Sequence, residues 1–446
     1  MKDKTLKGIL LGSLAFIIVY SMQLMSPRSP KESRGSRNGY GENFELYKEL
    51  SYYEEDYGTS PYRQRDNRTE VINVGEFPPN ITTLLSDRNN NAGSKEIIGK
   101  VSMDVLDPHT YDIRKLDPEL FRKFPKRFDE RYKNPCWYEK SRLRCIPYFY
   151  LIGMPKCGTT DLWSKLVQHP QIQGTPKEPH WWSKRRLGWT GLPIHRREVL
   201  KIRKMTGAGN DAPFEWYLNW FSTFGVNSIQ QNRDKVLGDG SVTTSYDIGE
   251  AWMTLYPEAT EPPFVMADLL HEFQPNAKIV VILREPVSRQ YSSYLYCHGK
   301  NADDFHRVTM KHLECHADCE SKHSLRYCAY AITQCKLFRG MYYYFLRDWI
   351  EAYGREKIHV MMLSEWMSDS VNQYKMLSEF LNLNTPSDEI IQRIVSRGVQ
   401  NSQTERKKKR AGVIRPDTKK MLQDFYRPLN HKLAELLNDT RFLWDY

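Results

Sequence analysis

Gly8 to Met25 is a run of 18 residues without a charged side chain. As a helix it would span about 27 Å, close to the thickness of a thin early-secretory bilayer. After it the pattern turns polar. Ser26–Tyr40 is rich in Pro, Arg, Gly and Ser, Tyr47–Tyr62 mixes Tyr with Glu and Asp, and Ser86–Ser94 is rich in Asn. Such segments cannot easily bury a core. Phe121, Phe124 and Phe128, at the end of this stretch, are placed to pack on the apolar region C-terminal to them.

Dense apolar patterning begins near Cys136. Tyr148–Ile152, Ile279–Leu283 and Ile358–Leu363 are short continuous apolar runs, the signature of buried strands. Asp161–Gln168 has helical spacing and stops before Pro170. Pro286 opens a predicted helix through Tyr296, in the first-turn position that Pro tolerates. Met341–Tyr353 and Thr418–Leu437 also read as helices. Strands alternating with helices predict an α/β domain with a mainly parallel sheet flanked by helices. The expected organisation is a tail at 1–7, an anchor at 8–25, a stem at 26–130 and a folded domain at 131–446.

Composition narrows the classes. The chain is 40% hydrophobic and 13% aromatic over 446 residues, which excludes wholesale disorder. One membrane-length segment excludes a polytopic membrane protein. Lys2, Lys4 and Lys7 precede that segment against Asp3 alone, so the positive-inside rule predicts a lumenal domain. Tyr20-Ser21-Met22-Gln23 is a poor cleavage site, which predicts an uncleaved type II signal anchor. Sequons at Asn67, Asn80 and Asn438 agree with a lumenal glycoprotein. In that compartment the eight cysteines read as disulfides, with Cys136/Cys145 and Cys319/Cys328 the expected pairs. Cys157 is expected to stay free in a ligand loop, which leaves at least one more thiol unpaired. Cys315-x3-Cys319 with His312, His316 and His323 could imitate a zinc cluster, but no second Cys pair completes it.

Gly153-Met-Pro155-Lys156-Cys157-Gly158-Thr159-Thr160 joins a predicted strand to a predicted helix, the context of a phosphate loop. Loop N–H groups and the helix N-terminus would bind an anion there. A nucleotide triphosphatase loop has Lys directly after the second Gly. Here Thr159 holds that place and the lysine has moved into the loop as Lys156. The second apolar strand ends in Arg284, where a magnesium-binding Asp would be expected. Two anion sites, rather than a triphosphate track with a metal, fit this pattern.

At these residues the chain resembles the Golgi PAPS-dependent carbohydrate sulfotransferases. Pro155–Thr160 is similar to their 5′-phosphosulfate loop, and Arg284-Glu-Pro-Val-Ser-Arg-Gln-Tyr-Ser292-Ser-Tyr294 to their 3′-phosphate motif. Lys177-Glu-Pro-His-Trp-Trp182, Ala302–Phe305 and Asp424–Pro428 extend the resemblance, which covers residues 134–446. It implies 3′-phosphoadenylyl sulfate (PAPS) as co-substrate, with no metal needed for chemistry. It implies Lys156 at the leaving phosphate and Arg284 with Ser292 on the 3′-phosphate. The segment holding Glu178 resembles the catalytic stretch of the glucosaminyl 3-O-sulfotransferases. It implies Glu178 as general base with His180 as runner-up, and Trp181 and Trp182 as a wall for a sugar ring. A second lysine of those enzymes has no counterpart in Gly238-Asp239-Gly240-Ser241. The implied acceptor is C6 of N-acetylgalactosamine 4-sulfate in chondroitin or dermatan chains, in the Golgi lumen.

The net charge of +11 is concentrated. Lys177–Lys204 carries +7 and Arg397–Lys432 carries +8, the rest of the chain being net acidic. Lys184 and Arg185 are expected to meet a sulfated glycan, and Lys409 and Arg410 the donor phosphate. Nucleic acid would suit the same charge, but no recognition motif accompanies it. A homodimer is left open. Two other readings stand beside this one: a different hexosaminyl or uronyl O-sulfotransferase, acting for example on heparan sulfate, and a non-catalytic lumenal glycan-binding protein that kept the fold.

Overall fold

The computed structural model describes residues 118–125, 127–185, 214–248, 252–253, 256, 258–297, 300–332, 334–398, 409 and 412–444. The anchor, most of the stem, Asn67 and Asn80 lie outside these residues. Among the described residues no helix is long and apolar enough to cross a membrane.

The strands among them are β1 (Cys136–Glu139), β2 (Arg142–Cys145), β3 (Phe149–Gly153), β4 (Gly238–Asp239), β5 (Lys278–Leu283) and β6 (Ile358–Met362). β1 and β2 form an antiparallel hairpin closed by the Cys136–Cys145 disulfide. The other four make one parallel sheet in the order β4-β3-β5-β6. A parallel sheet is covered on both faces, so its strands read as continuous apolar runs rather than alternating ones. β3 is buried at every position, and β5 at all but Lys278. The three predicted strands are therefore β3, β5 and β6. β4 has only two residues and no apolar run to announce it.

The order places β3 and β5 side by side, with the next strand after β3 on its other edge. The chain thus leaves the C-terminal ends of β3 and β5 in opposite directions, which opens a crevice there, the usual ligand position in open α/β sheets. Helix α1 (Pro118–Lys123) leads into the packed rings of Phe124 and Phe128. The Phe124 ring centroid lies 4.0 Å from that of Phe273, at the end of a later helix, and Phe128 meets Trp137. The last part of the predicted stem therefore packs on the folded domain, with Phe121 half-buried beside it.

Helix α2 (Thr159–Leu166) follows β3, and α3 (Phe214–Phe221) and α4 (Met266–Phe273) precede β5. Helix α5 (Pro286–Cys297) follows β5. Next come α6 (Ala302–Glu320), α7 (Leu325–Ala331) and α8 (Tyr342–Tyr353), which leads into β6. Disulfides Cys319–Cys328 and Cys315–Cys335 tie α6 to α7 and to the turn before α8. The second of these was not among the expected pairs. Both sulfurs of the imagined zinc cluster are thereby consumed, and burial pushes His316 down to about 4. Cys157 and Cys297 are the cysteines outside these disulfides. Helices α9 (Leu363–Ser368), α10 (Ser370–Phe380) and α11 (Asp388–Val395) follow β6, and the long helix α12 (Pro416–Leu437) closes the domain, its Tyr426 hydroxyl donating to the Leu337 carbonyl at 2.9 Å.

Candidate active site

The loop between β3 and α2 is shaped by two left-handed residues. Gly158 has φ 85°, and a Cβ there would lie 2.6 Å from Leu363 Cδ1, so both conformation and space require glycine. Lys156 has φ 68°, a conformation that costs an ordinary side chain energy and is kept only when the surroundings enforce it. Its ammonium sits 3.6 Å from the ring centroid of Tyr296 on α5. Pro155, Cys157 and Thr159 are buried, while Gly158 and Thr160 are half-buried at the start of α2. Burial raises the Cys157 thiol above its ordinary range, so at neutral pH it packs rather than reacts.

The neighbouring strand ends in the second basic residue. Arg284 is half-buried directly after β5. Glu285 then caps α5 with both carboxylate oxygens, which accept the N–H groups of Val287 and Ser288, each at 2.7 Å. Ser292 and Tyr296 are four residues apart and share one face of α5, so the helix that carries Ser292 also carries the ring under Lys156. Arg289 of the same helix is fully buried, donating to Gln290 and to the Lys336 carbonyl.

The third component follows α2. Glu178 (φ 65°) and His180 (φ 48°) are both left-handed. Three of the seven non-glycine residues with positive φ among those described are thus Lys156, Glu178 and His180, which is where strain would be expected in a functional site. Glu178 pairs through Oε1 with Lys177 and through Oε2 with His180 Nε2 at 3.2 Å. His180 Nδ1 lies 2.7 Å from Thr243 Oγ1, and the Ser241 hydroxyl accepts the His180 N–H at 2.9 Å. The His180 side chain is 3% exposed and that of Glu178 is 21% exposed. The imidazole is therefore an interior link and the carboxylate is the end that a substrate could reach.

This pair is tied to the loop between β3 and α2 through one turn. Val242–Ser245 carries Thr243 and packs so closely on the first loop glycine that a Cβ at Gly153 would lie 2.7 Å from Ser245 Oγ. The Lys177 stem lies against Gly240, and so does Trp163 of α2. The carboxylate–imidazole pair and the loop are anchored to the same strand end.

Other expected residues are placed differently. Trp181 and Trp182 are 1% and 0% exposed. Trp181 stacks on Tyr217 at 4.7 Å, Trp182 meets the Phe273 edge at 4.9 Å, and the Trp182 N–H donates to the Tyr217 hydroxyl. Neither indole offers a face to a sugar, so the expected wall is core. They continue one apolar layer with α3 and α4, which the WW pair alone cannot distinguish from a binding surface. Lys184 and Arg185 end the same short π-helical turn, with their side chains outside the described residues. Lys409 is exposed and Arg410 lies outside. Asn438 is exposed and left-handed at the end of α12. Thr243 and Tyr296 carry no role in the sequence reading, and Ser241 and Glu285 stand in its quoted segments without one. Only Glu285 had a signal, an acidic residue before Pro at a strand–helix junction.

Comparison with known proteins establishes the family. A model described as the sulfotransferase family matches residues 147–387, which include the loop, Glu178 and Arg284. Carbohydrate sulfotransferase 15 of Homo sapiens is 31% identical over 403 residues, covering 76% of this chain and 69% of the relative. That of Rattus norvegicus is 30% identical over 391 residues with the same coverage. The bifunctional heparan sulfate N-deacetylase/N-sulfotransferase 4 of Mus musculus is 24% identical over 184 residues, covering 40% of this chain and 17% of the relative. The chain belongs to the sulfotransferase family and is a sulfotransferase enzyme of the carbohydrate sulfotransferase kind.

Proposed function

We propose that this enzyme transfers sulfate from PAPS to a glycosaminoglycan hydroxyl, with C6 of N-acetylgalactosamine 4-sulfate in chondroitin or dermatan sulfate as the acceptor position. The observation that carries the reading is the Glu178–His180 pair anchored, through the Thr243 turn, to the strand end that opens the anion loop. An acid–base group is thereby held beside a loop suited to a phosphosulfate. The left-handed Gly158 and the α2 N-terminus suit an anion, and Arg284 ends the adjacent strand.

In this reading Glu178 takes the proton of the acceptor hydroxyl, with His180 and Thr243 fixing its direction. Lys156 neutralises charge on the phosphate oxygen as its bond to sulfur breaks and the acceptor oxygen–sulfur bond forms. Arg284 and Ser292 hold the 3′-phosphate. Exposed Lys419, Lys420, Arg427 and Lys432 on α12 support a polyanionic acceptor. The lumenal Golgi location and type II anchor belong to the same proposal. Incubating the full chain with labelled PAPS and chondroitin, dermatan and heparan sulfates, followed by disaccharide analysis, tests it. Label appearing only in heparan disaccharides, or in none, would overturn the acceptor assignment.

Arg284→Ala and Ser292→Ala are each expected to weaken adenosine 3′,5′-bisphosphate binding by about 10- to 100-fold, the worth of one charge-assisted hydrogen bond. Calorimetry showing wild-type affinity in both would remove them from the 3′-phosphate site. Turnover is also expected to survive EDTA, because Lys156 stands inside the loop and Arg284 replaces a metal-binding acid. Loss of activity in EDTA with recovery on adding magnesium would contradict this mechanism.

A further inference from the structure

We infer that Tyr342 is a positioning residue that locks the two anion-binding loops together, so that both ends of one nucleotide donor are bound as a unit. The inference rests on the proposed reading of the loops around Cys157 and Arg284. It adds a residue that touches neither end of the donor.

Tyr342 is the first residue of α8 and is 1% exposed. Its hydroxyl donates to the Arg284 carbonyl at 2.8 Å and lies 3.5 Å from Cys157 Sγ. A buried phenol needs a polar partner. This one finds its partners in the two loops, one after β3 and one after β5. The Cys157 thiol also lies 3.7 Å from the Pro155 carbonyl, so the contact reaches the turn that presents Lys156. On the other side, fixing the Arg284 carbonyl fixes the backbone from which its guanidinium projects.

The surroundings make this contact firm. Burial raises the Tyr342 phenol well above its usual range, so the hydroxyl remains a donor throughout the physiological pH range. The buried Arg289 guanidinium interacts electrostatically with both the Tyr342 phenol and the Cys157 thiol. The turn Lys336–Gly340, just before Tyr342, is held by the Cys315–Cys335 disulfide at its start and by the Tyr426 bond to Leu337. Tyr342 therefore projects from a fixed base.

The test uses the full-length Tyr342→Phe protein, which loses only the hydroxyl. Calorimetry gives dissociation constants for 5′-AMP and for adenosine 3′,5′-bisphosphate, and the ratio of the first to the second measures how far the 3′-phosphate reinforces 5′ binding. That ratio is expected to fall about five- to tenfold, the worth of one hydrogen bond. A uniform loss of affinity with an unchanged ratio would assign Tyr342 a structural role only and overturn the inference. Should Tyr342→Phe fail to fold, Cys157→Ala removes the loop side of the contact alone. Its ratio is expected to fall about two- to fivefold, and an unchanged ratio overturns the inference equally. A wild-type protein that binds the bisphosphate no better than 5′-AMP would instead refute the donor reading itself.

Discussion

Glutamine in place of Glu178 is expected to lower turnover by about 10²- to 10⁴-fold, the share of a positioned general base. The measurement is made at saturating PAPS with 4-sulfated chondroitin as acceptor. Melting temperature and bisphosphate affinity should stay near wild type, because the amide has nearly the shape of the carboxylate and can still meet His180. The geometry favours Glu178 over His180 for this role. Both imidazole nitrogens face partners inside the protein, at 3.2 Å from Glu178 and 2.7 Å from Thr243. His180→Ala should therefore cost less and act through the direction of the carboxylate. A dead His180→Ala beside an active Glu178→Gln would transfer the base to the histidine.

Lys156→Ala is expected to lose about 10²-fold or more in turnover, the scale of one removed electrostatic group at a developing charge. The ammonium is held by a left-handed backbone and by the Tyr296 ring at 3.6 Å, so its position does not have to be found anew in each cycle. Removing it should leave the 3′-phosphate contacts intact. The loss should thus appear mainly in turnover and less in bisphosphate affinity. Near-normal turnover at saturating PAPS would end the assignment.

The sheet was legible because its strands are mostly buried, and helices α5 and α12 begin at Pro. β3, β5 and β6 all announce themselves as runs of five or six mostly apolar residues. Helix α6 did not. Over 19 residues it buries Phe305, Thr309, His316 and Cys319, a helical spacing in which only one member is a large hydrocarbon. Its anchorage comes from sulfur bonds, which leave no trace in hydrophobic periodicity. The two-residue β4 has no pattern to read, and its neighbours Ser241 and Thr243 matter through tertiary contacts with His180. Loop residues with local chemistry, such as Lys156, could be named from sequence. Residues acting across the fold, such as Tyr342 and Tyr296, needed the packing. The tryptophan pair failed for the opposite reason: burial on an apolar layer and exposure to a sugar select the same side chain.

The Glu285 cap has a bearing on how a catalytic cycle ends. An uncapped helix N-terminus holds phosphate through several N–H groups and its dipole, a grip that is slow to release. Here two of those donors on α5 are already taken by a carboxylate of the chain itself. In the proposed reading the 3′-phosphate of the spent nucleotide would then be held by side chains, Arg284 and Ser292, each able to swing away and be rehydrated independently. A negative charge beside the departing bisphosphate would also favour its exit. On that reading the capping glutamate would favour by-product release, and Glu285→Ala is expected to make the enzyme more readily inhibited by its own spent donor.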